Sequence, residues 1–393
     1  MYTGSLPHGC MMMAAGHNGC EVAVPRSRSR RDALRGVLLV AVALAGLVVV
    51  RWSVTGGISQ PIAPPAALAP APQGPAPEAP VPAGTRLSLG GREPALVDPA
   101  SGTITRIPPA TAGTRTTLFR QGSFTVLVAG GQVWVVPAGR AGPRRLLGQA
   151  LLALPALADD RAWLVDLRFG TPGQSYDLVE VGLADGRTYT HWTLPYQATP
   201  VAVLRSGVLA RDLDGDLVVV APGSGRVRTL LARAATFLDA RGGRVAWLAG
   251  GFLHVRDLAS KATTVVPPPP GSAGWYALGA PVPWAGCCYG LGAFAPGGRW
   301  LAVYAGLAGP DARGLAIVDL DRGRAALLPG SEDAIPTGCQ PCLGWASNGW
   351  LFFFAAGPAT SIAAWRPGQR AAGLLWLDSG RAFATIPSAL AAN

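Results

Sequence analysis

The chain has 393 residues, of which 49% are hydrophobic and only 14% charged, and 52 glycines and 36 prolines interrupt it at short intervals. That composition excludes a coiled coil or long-helix architecture, which needs sustained apolar periodicity without such breakers, and it predicts a mostly β fold with many turns. The net charge of +11 rests on arginine, Lys261 being the only lysine; from Arg86 onward 27 basic and 19 acidic residues are interspersed without a long basic run, whereas a nucleic-acid-binding surface would cluster them.

Residues 1–33 carry no core-building pattern and end in Arg26, Arg28, Arg30 and Arg31, so they are expected to form a disordered, Arg-ended tail. Gly36–Val50 is then an uncharged run of 15 residues between Arg35 and Arg51. As a helix it spans about 22 Å, short of a hydrocarbon core of about 30 Å. Extending it to residues 34–54, with both arginines snorkelling to the headgroups and Trp52 at the interface, makes a full span. No basic residue follows Arg51 until Arg86, so the positive-inside rule puts the N-terminus in the cytoplasm and the rest outside. A cleaved secretory signal is the competing reading, but no convincing A-x-A site follows the run. Lipoprotein processing is excluded, because no cysteine stands between Cys20 and Cys287. The expectation is an uncleaved, single-pass signal anchor. Residues 55–84 follow as a Pro/Ala-rich linker, including PIAPPAALAPAPQGPAPEAPVPAG, which cannot build a core and favours extended polyproline conformations.

The remainder, residues 85–390, is repetitive. Its clearest unit runs from Phe294 to Leu328: a turn at Pro296-Gly297-Gly298, a strand Trp300–Tyr304, a loop, an apolar run Leu315–Asp319, a turn at 320–323 and a strand Arg324–Leu328. The last turn recurs at Asp98–Gly102, Pro137–Gly142, Asp185-Gly186, Pro222–Gly225, Asp257–Lys261 and Pro367–Arg370. Preceding strands are Phe124–Val128, Ala162–Val165, Gly207–Ala210, Val245–Leu248 and Trp350–Phe354. Seven copies at about 44 residues each fit the period of a four-stranded propeller blade.

The pair FAPGGRWLA and LAIVDLDRG resembles the repeat of bacterial Tol-type and WD-repeat-like β-propellers. The resemblance implies a fold and leaves the activity open. It agrees with an all-β, seven-bladed propeller; six or eight blades also fit, because the innermost strands are degenerate. Closure is expected by pairing a strand near Arg381–Ile386 with Arg86-Leu87-Ser88-Leu89. The sequence departs from the repeat where most copies lack the FAPGG element and where proline replaces the turn aspartate in blades two, four and seven.

Cys287, Cys288, Cys339 and Cys342 offer four thiolates to zinc, but adjacent cysteines are poorly arranged for one tetrahedral ion. Cys288 lies six residues before Phe294 and Cys339 six before Trp345, equivalent places in adjacent blades. An extracytoplasmic domain permits disulfides, and Cys288–Cys339 with Cys287–Cys342 are the expected pairs. Asp212, Asp214 and Asp216 alternate as calcium ligands do, although a hairpin with Asp214-Gly215 in a type I′ turn explains the same letters.

For catalysis the domain offers two histidines, His191 and His254, each in a predicted strand, and neither G-x-S-x-G nor H-E-x-x-H. No catalytic residue, cofactor or resident metal is expected. Trp134, Trp163, Trp247, Trp300 and Trp350 recur at blade strands and are assigned to the core. Trp275, Tyr276, Trp284 and Tyr289 stand in a Pro/Gly-rich insertion where a recognition surface is credible. The reading is therefore a binding or scaffold module for an envelope protein or glycan, held to the membrane through residues 34–54, with no nucleic-acid partner. The alternative is a propeller-class hydrolase or lyase, marked by His191 or His254 beside carboxylates at the central channel.

Overall fold

The computed structural model describes residues 81, 83–107, 114–137, 144–170, 173–195, 198–222, 226–276, 291–308, 312–334, 342–355, 361–375 and 389–392. The tail, the apolar segment and nearly all of the linker lie outside these residues, as do Cys287, Cys288, Cys339, Trp284 and Tyr289. The described strands form seven antiparallel sheets, so the blade count is seven. In every sheet the strands follow one another outward in chain order, except that the chain's last strand supplies the innermost position of blade 1. The inner strands are Ala389–Ala392, Thr117–Gln121, Leu152–Pro155, Ala198–Leu204, Thr236–Arg241, Gly292–Phe294 and Leu343–Trp345, for blades 1 to 7. All seven recurring turns fall between the third and outer strands of a blade.

Closure corrects the sequence expectation. The closing strand is Ala389–Ala392, in register from Leu87↔Ala392 to Gly90↔Ala389, and residues 381–386 lie outside the described part. The sequence ALAA has weak strand preference; burial places it. Leu390 is 1% exposed and lies where a side chain on Gly344 of blade 7 would stand, 3.2 Å from its Cδ2.

Blade 6 shows why the repeat length breaks there. Its second strand, Trp300–Gly306, carries two partners on its inner edge: Gly274–Trp275 opposite Gly306 and Ala305, and Gly292–Phe294 opposite Val303 to Leu301. The inner strand is thus split, and residues 277–290 are inserted within it.

Each sheet is covered on both faces by its neighbours, so second strands are apolar at consecutive positions rather than alternate ones. Leu351, Phe352, Phe353 and Phe354 are all 0% exposed. Apolar seams join blades 2 and 3, 3 and 4, and 4 and 5, and one continuous seam runs from blade 5 through 6 and 7 to blade 1. Trp163, Trp247 and Trp350 are buried in these seams, as expected of core tryptophans, while Trp134 and Trp300 are half-buried.

The two ends of the blades differ. The N-terminal segment enters at Thr85-Arg86, where Asn348 Nδ2 donates to Thr85 Oγ1 at 2.9 Å. This end, the stem face, holds the connections from inner to second and from third to outer strands, of which the longest described throughout is residues 366–372. The opposite end, the loop face, holds the connections from second to third strands and the described ends of those between blades, among them residues 114–116, 267–273 and 328–334.

Register is sensitive to one glycine in particular. Gly207 opens the second strand of blade 4 at φ +146°, and a Cβ there would stand 2.4 Å from the Val220 carbonyl oxygen; Gly243, at φ +80°, has nothing within 4 Å. Gly207→Ala should therefore cost roughly 3–5 kcal/mol, strain and clash together, against about 1–2 kcal/mol for Gly243→Ala. Urea midpoints of the two variants measure the difference; equal shifts would contradict the pairing of Gly207 beside Val220.

Candidate binding face

The inner ring is lined chiefly by small residues. Ala391, Ala153, Ala202, Ala293 and Gly344 are partly exposed positions of five inner strands, beside Leu152 and Thr199, joined by Phe119 and by Arg120, whose pKa burial lowers. Hydrogen bonds across blade boundaries hold this ring. Asp239 of blade 5 accepts the Phe294 N–H of blade 6 at 2.7 Å and its neighbour Ala240 N–H at 2.8 Å. Burial raises its pKa even though these bonds and Arg241 pull the other way. Trp345 Nε1 donates to Ala293 O at 2.9 Å, and Gln121 Nε2 to the carbonyls of Ala156 and Ala158. Asp239 is a staple between blades with both oxygens engaged.

Neither histidine reaches the channel. His191 is on the outer strand of blade 3, 3.3 Å from the buried carboxylate of Asp177. Asp177 also takes the Arg168 guanidinium and accepts from Thr193 Oγ1 at 3.3 Å. This cluster was not legible in the sequence, because its members come from three strands. His254, on the third strand of blade 5, stacks on Trp247 with ring centroids 5.5 Å apart, its Nε2 3.2 Å from Ala249 O.

The Asp212 loop is built as a hairpin, with a correction of turn type. Among the described non-glycine residues only Ala234 and Lys261 have positive φ, while Gly215 has φ +82°, so Asp214 cannot sit in a type I′ turn. Gly215 N–H donates to Asp212 O at 3.1 Å and Asp212 N–H to Asp216 O at 3.0 Å, a type I turn followed by a left-handed glycine. Asp212 Oδ1 accepts the N–H groups of Asp214 and Asp216, and Asp216 Oδ1 that of Ala234. Among the described residues no group of three or more His, Cys, Asp or Glu converges as metal ligands would.

Of the four aromatics assigned to recognition, Trp275 and Tyr276 are described. Both are half-buried against the blade 5 to 7 seam; Trp275 Nε1 donates to Val266 O at 3.3 Å, and the Arg313 guanidinium lies 4.5 Å from the Tyr276 ring centroid. Tyr304 fixes both ends of the insertion: Tyr276 N–H donates to Tyr304 O at 3.1 Å, and Tyr304 N–H to Leu291 O at 3.2 Å. Burial pushes the Tyr304 phenol well up, and Cys342 adds to the rise. Cys342 is itself buried, its carbonyl accepting from Phe354 N–H at 3.3 Å, so it occupies in blade 7 the place Leu291 has in blade 6.

On the stem face the repeat's aspartate has a structural task. In blades 1, 5 and 6 it opens the outer turn and meets an arginine before or at the start of the second strand: Arg86–Asp98 at 2.6 Å, Arg244–Asp257 at 3.9 Å and Arg299–Asp319 at 3.1 Å. Its Oδ1 caps the turn, accepting from Ala100, Ala259 and Asp321 N–H. Burial alone would raise the Asp319 pKa, but Arg299 and the N–H groups of Arg322 and Asp321 hold it below its ordinary value. Blade 7, with Pro367 in the turn, places Arg366 over the Trp350 ring instead, 5.2 Å from its centroid.

No family model and no curated protein matches the chain. Among solved structures it is similar to TolB from Acinetobacter baumannii (9% identity, TM-score 0.44), covering 78% of this chain and 66% of that one. It is similar to apo AztD from Citrobacter koseri (12%, 0.44; 79% and 97%) and to the Pyrococcus horikoshii acylaminoacyl peptidase (9%, 0.48; 72% and 47%).

Proposed function

We propose that this chain is a membrane-anchored, extracytoplasmic β-propeller that binds an envelope protein or glycan through its loop face. One observation carries the reading: the outer strands end, and the next blades begin, at the end opposite the entering N-terminal segment, so a domain held by that segment presents its blade-to-blade connections outward. The anchor itself rests on the apolar run at residues 34–54 and the arginine asymmetry around it. An inner ring in which the described charged groups are Arg120 and Asp239, the latter engaged between blades, and from which both histidines stand away, supports binding over channel catalysis. The pairs Cys288–Cys339 and Cys287–Cys342 belong to the same reading, since they require an oxidising compartment.

A photo-reactive residue introduced at Leu213 or Phe252, exposed on the loop face, tests it in the native envelope. Specific crosslinked products should form from these positions and not from Leu157 on the stem face. Products from Leu157 alone would contradict the assignment of the binding face.

A further inference from the structure

The arginines that look dispersed in sequence are gathered by the fold. Among described side chains, the stem face carries seventeen Arg or Lys against nine Asp or Glu, a net of +8, and the loop face seven against eight, a net of −1. The cause is topological. The turns of the repeat that end in Arg or Lys are all inner-to-second or third-to-outer connections, and these share one end of the propeller. Blades 4 to 7 alone hold eleven of the bases against four carboxylates, which is nearly the whole excess. Arg205, Arg241, Arg322, Arg324, Arg366 and Arg370 are exposed there. One of the four carboxylates, Asp239, is engaged between blades and has its pKa raised by burial.

We infer that the stem face docks on an anionic membrane surface, the guanidinium groups taking lipid phosphates. Three features select this occupant. The bases stand on turn tips contributed by successive blades, an array across an end face that suits a layer of headgroups. Guanidinium pairs with phosphate in bidentate fashion, and each base near an anionic leaflet adds to the attraction. The segment leading to the proposed anchor enters this same face at Thr85-Arg86, and a linker of about 30 residues keeps the face at high effective concentration near the bilayer. The inference deepens the anchored reading and rests on it for the tether, while the charge asymmetry is independent of it.

The test uses the full chain, reconstituted in vesicles of phosphatidylcholine alone or enriched in phosphatidylglycerol. A fluorophore is attached to an azide-bearing residue introduced at Ser347 on the stem face or at Leu213 on the loop face. Energy transfer from Ser347 to headgroup-labelled lipid should rise severalfold in the anionic vesicles and fall with added salt, within a screening length of about 8 Å at physiological ionic strength; transfer from Leu213 should not change. Combining Arg205→Glu, Arg324→Glu and Arg370→Glu should lower the docked-to-undocked ratio by roughly tenfold or more. The corresponding Lys substitutions, which control for folding, should retain docking. Equal transfer in both lipids, or transfer from Leu213, overturns the inference, as does release by a duplex oligonucleotide, which would assign the face to nucleic acid. Flotation with neutral vesicles in high salt separately tests the anchor: flotation without lipid-dependent transfer overturns docking alone, and docking to anionic vesicles without neutral flotation overturns the anchor alone.

Discussion

A chain lacking residues 389–393 is expected to lose cooperative unfolding of the propeller. Four register pairs join Ala389–Ala392 to Leu87–Gly90, and Leu390 fills the space above Gly344 in blade 7. Removing the strand exposes the inner edge of blade 1 and interrupts the ring between blades 7 and 2, an unpaired edge that closure of the propeller protects. The graded version is Leu390→Ala, which should cost about 2–5 kcal/mol, a large part of a domain stability of about 5–15 kcal/mol. Urea unfolding followed by tryptophan fluorescence measures both. An unchanged midpoint in the shortened chain would mean that the closing strand lies elsewhere, for instance at Arg381–Ile386.

Reduction should also destabilise the domain, if the proposed cysteine pairs fasten blade 6 to blade 7. Leu291 and Cys342 hold equivalent positions, each carbonyl accepting from the second strand of its own blade, Tyr304 or Phe354. Cys288 and Cys339 each stand three residues before these points. A bridge between them would close a loop of about 50 residues, worth roughly 3–4 kcal/mol in the chain-entropy account. Mass mapping without reductant should find no alkylatable thiol among Cys287, Cys288, Cys339 and Cys342, while Cys10 and Cys20 react. Four reactive thiols in the domain would contradict the pairs and weaken the compartment argument.

The repeat was legible because turn chemistry is local. Asp319-Leu320-Asp321-Arg322-Gly323 announces its hairpin, and weaker copies follow the same spacing closely enough to place all seven outer turns. Second strands were legible because burial on both faces writes them as unbroken apolar runs, Phe352-Phe353-Phe354 most plainly. The closing strand was missed because ALAA carries no β signal of its own and is held by what surrounds Leu390. The split inner strand of blade 6 was hidden for a similar reason: Gly274-Trp275 is short and gains its place only by pairing with Ala305 and Gly306. The Asp177 cluster and the basic stem face depend on which strands and which ends the topology brings together, and no linear spacing encodes either.

A propeller held outside the cell membrane by an uncleaved N-terminal anchor must be open to protease added to spheroplasts that express the full chain with a C-terminal tag. The tag should be digested in intact spheroplasts while the undigested protein sediments with the membrane fraction at its full length. A protected tag, or a shorter product recovered free in solution, would contradict this arrangement.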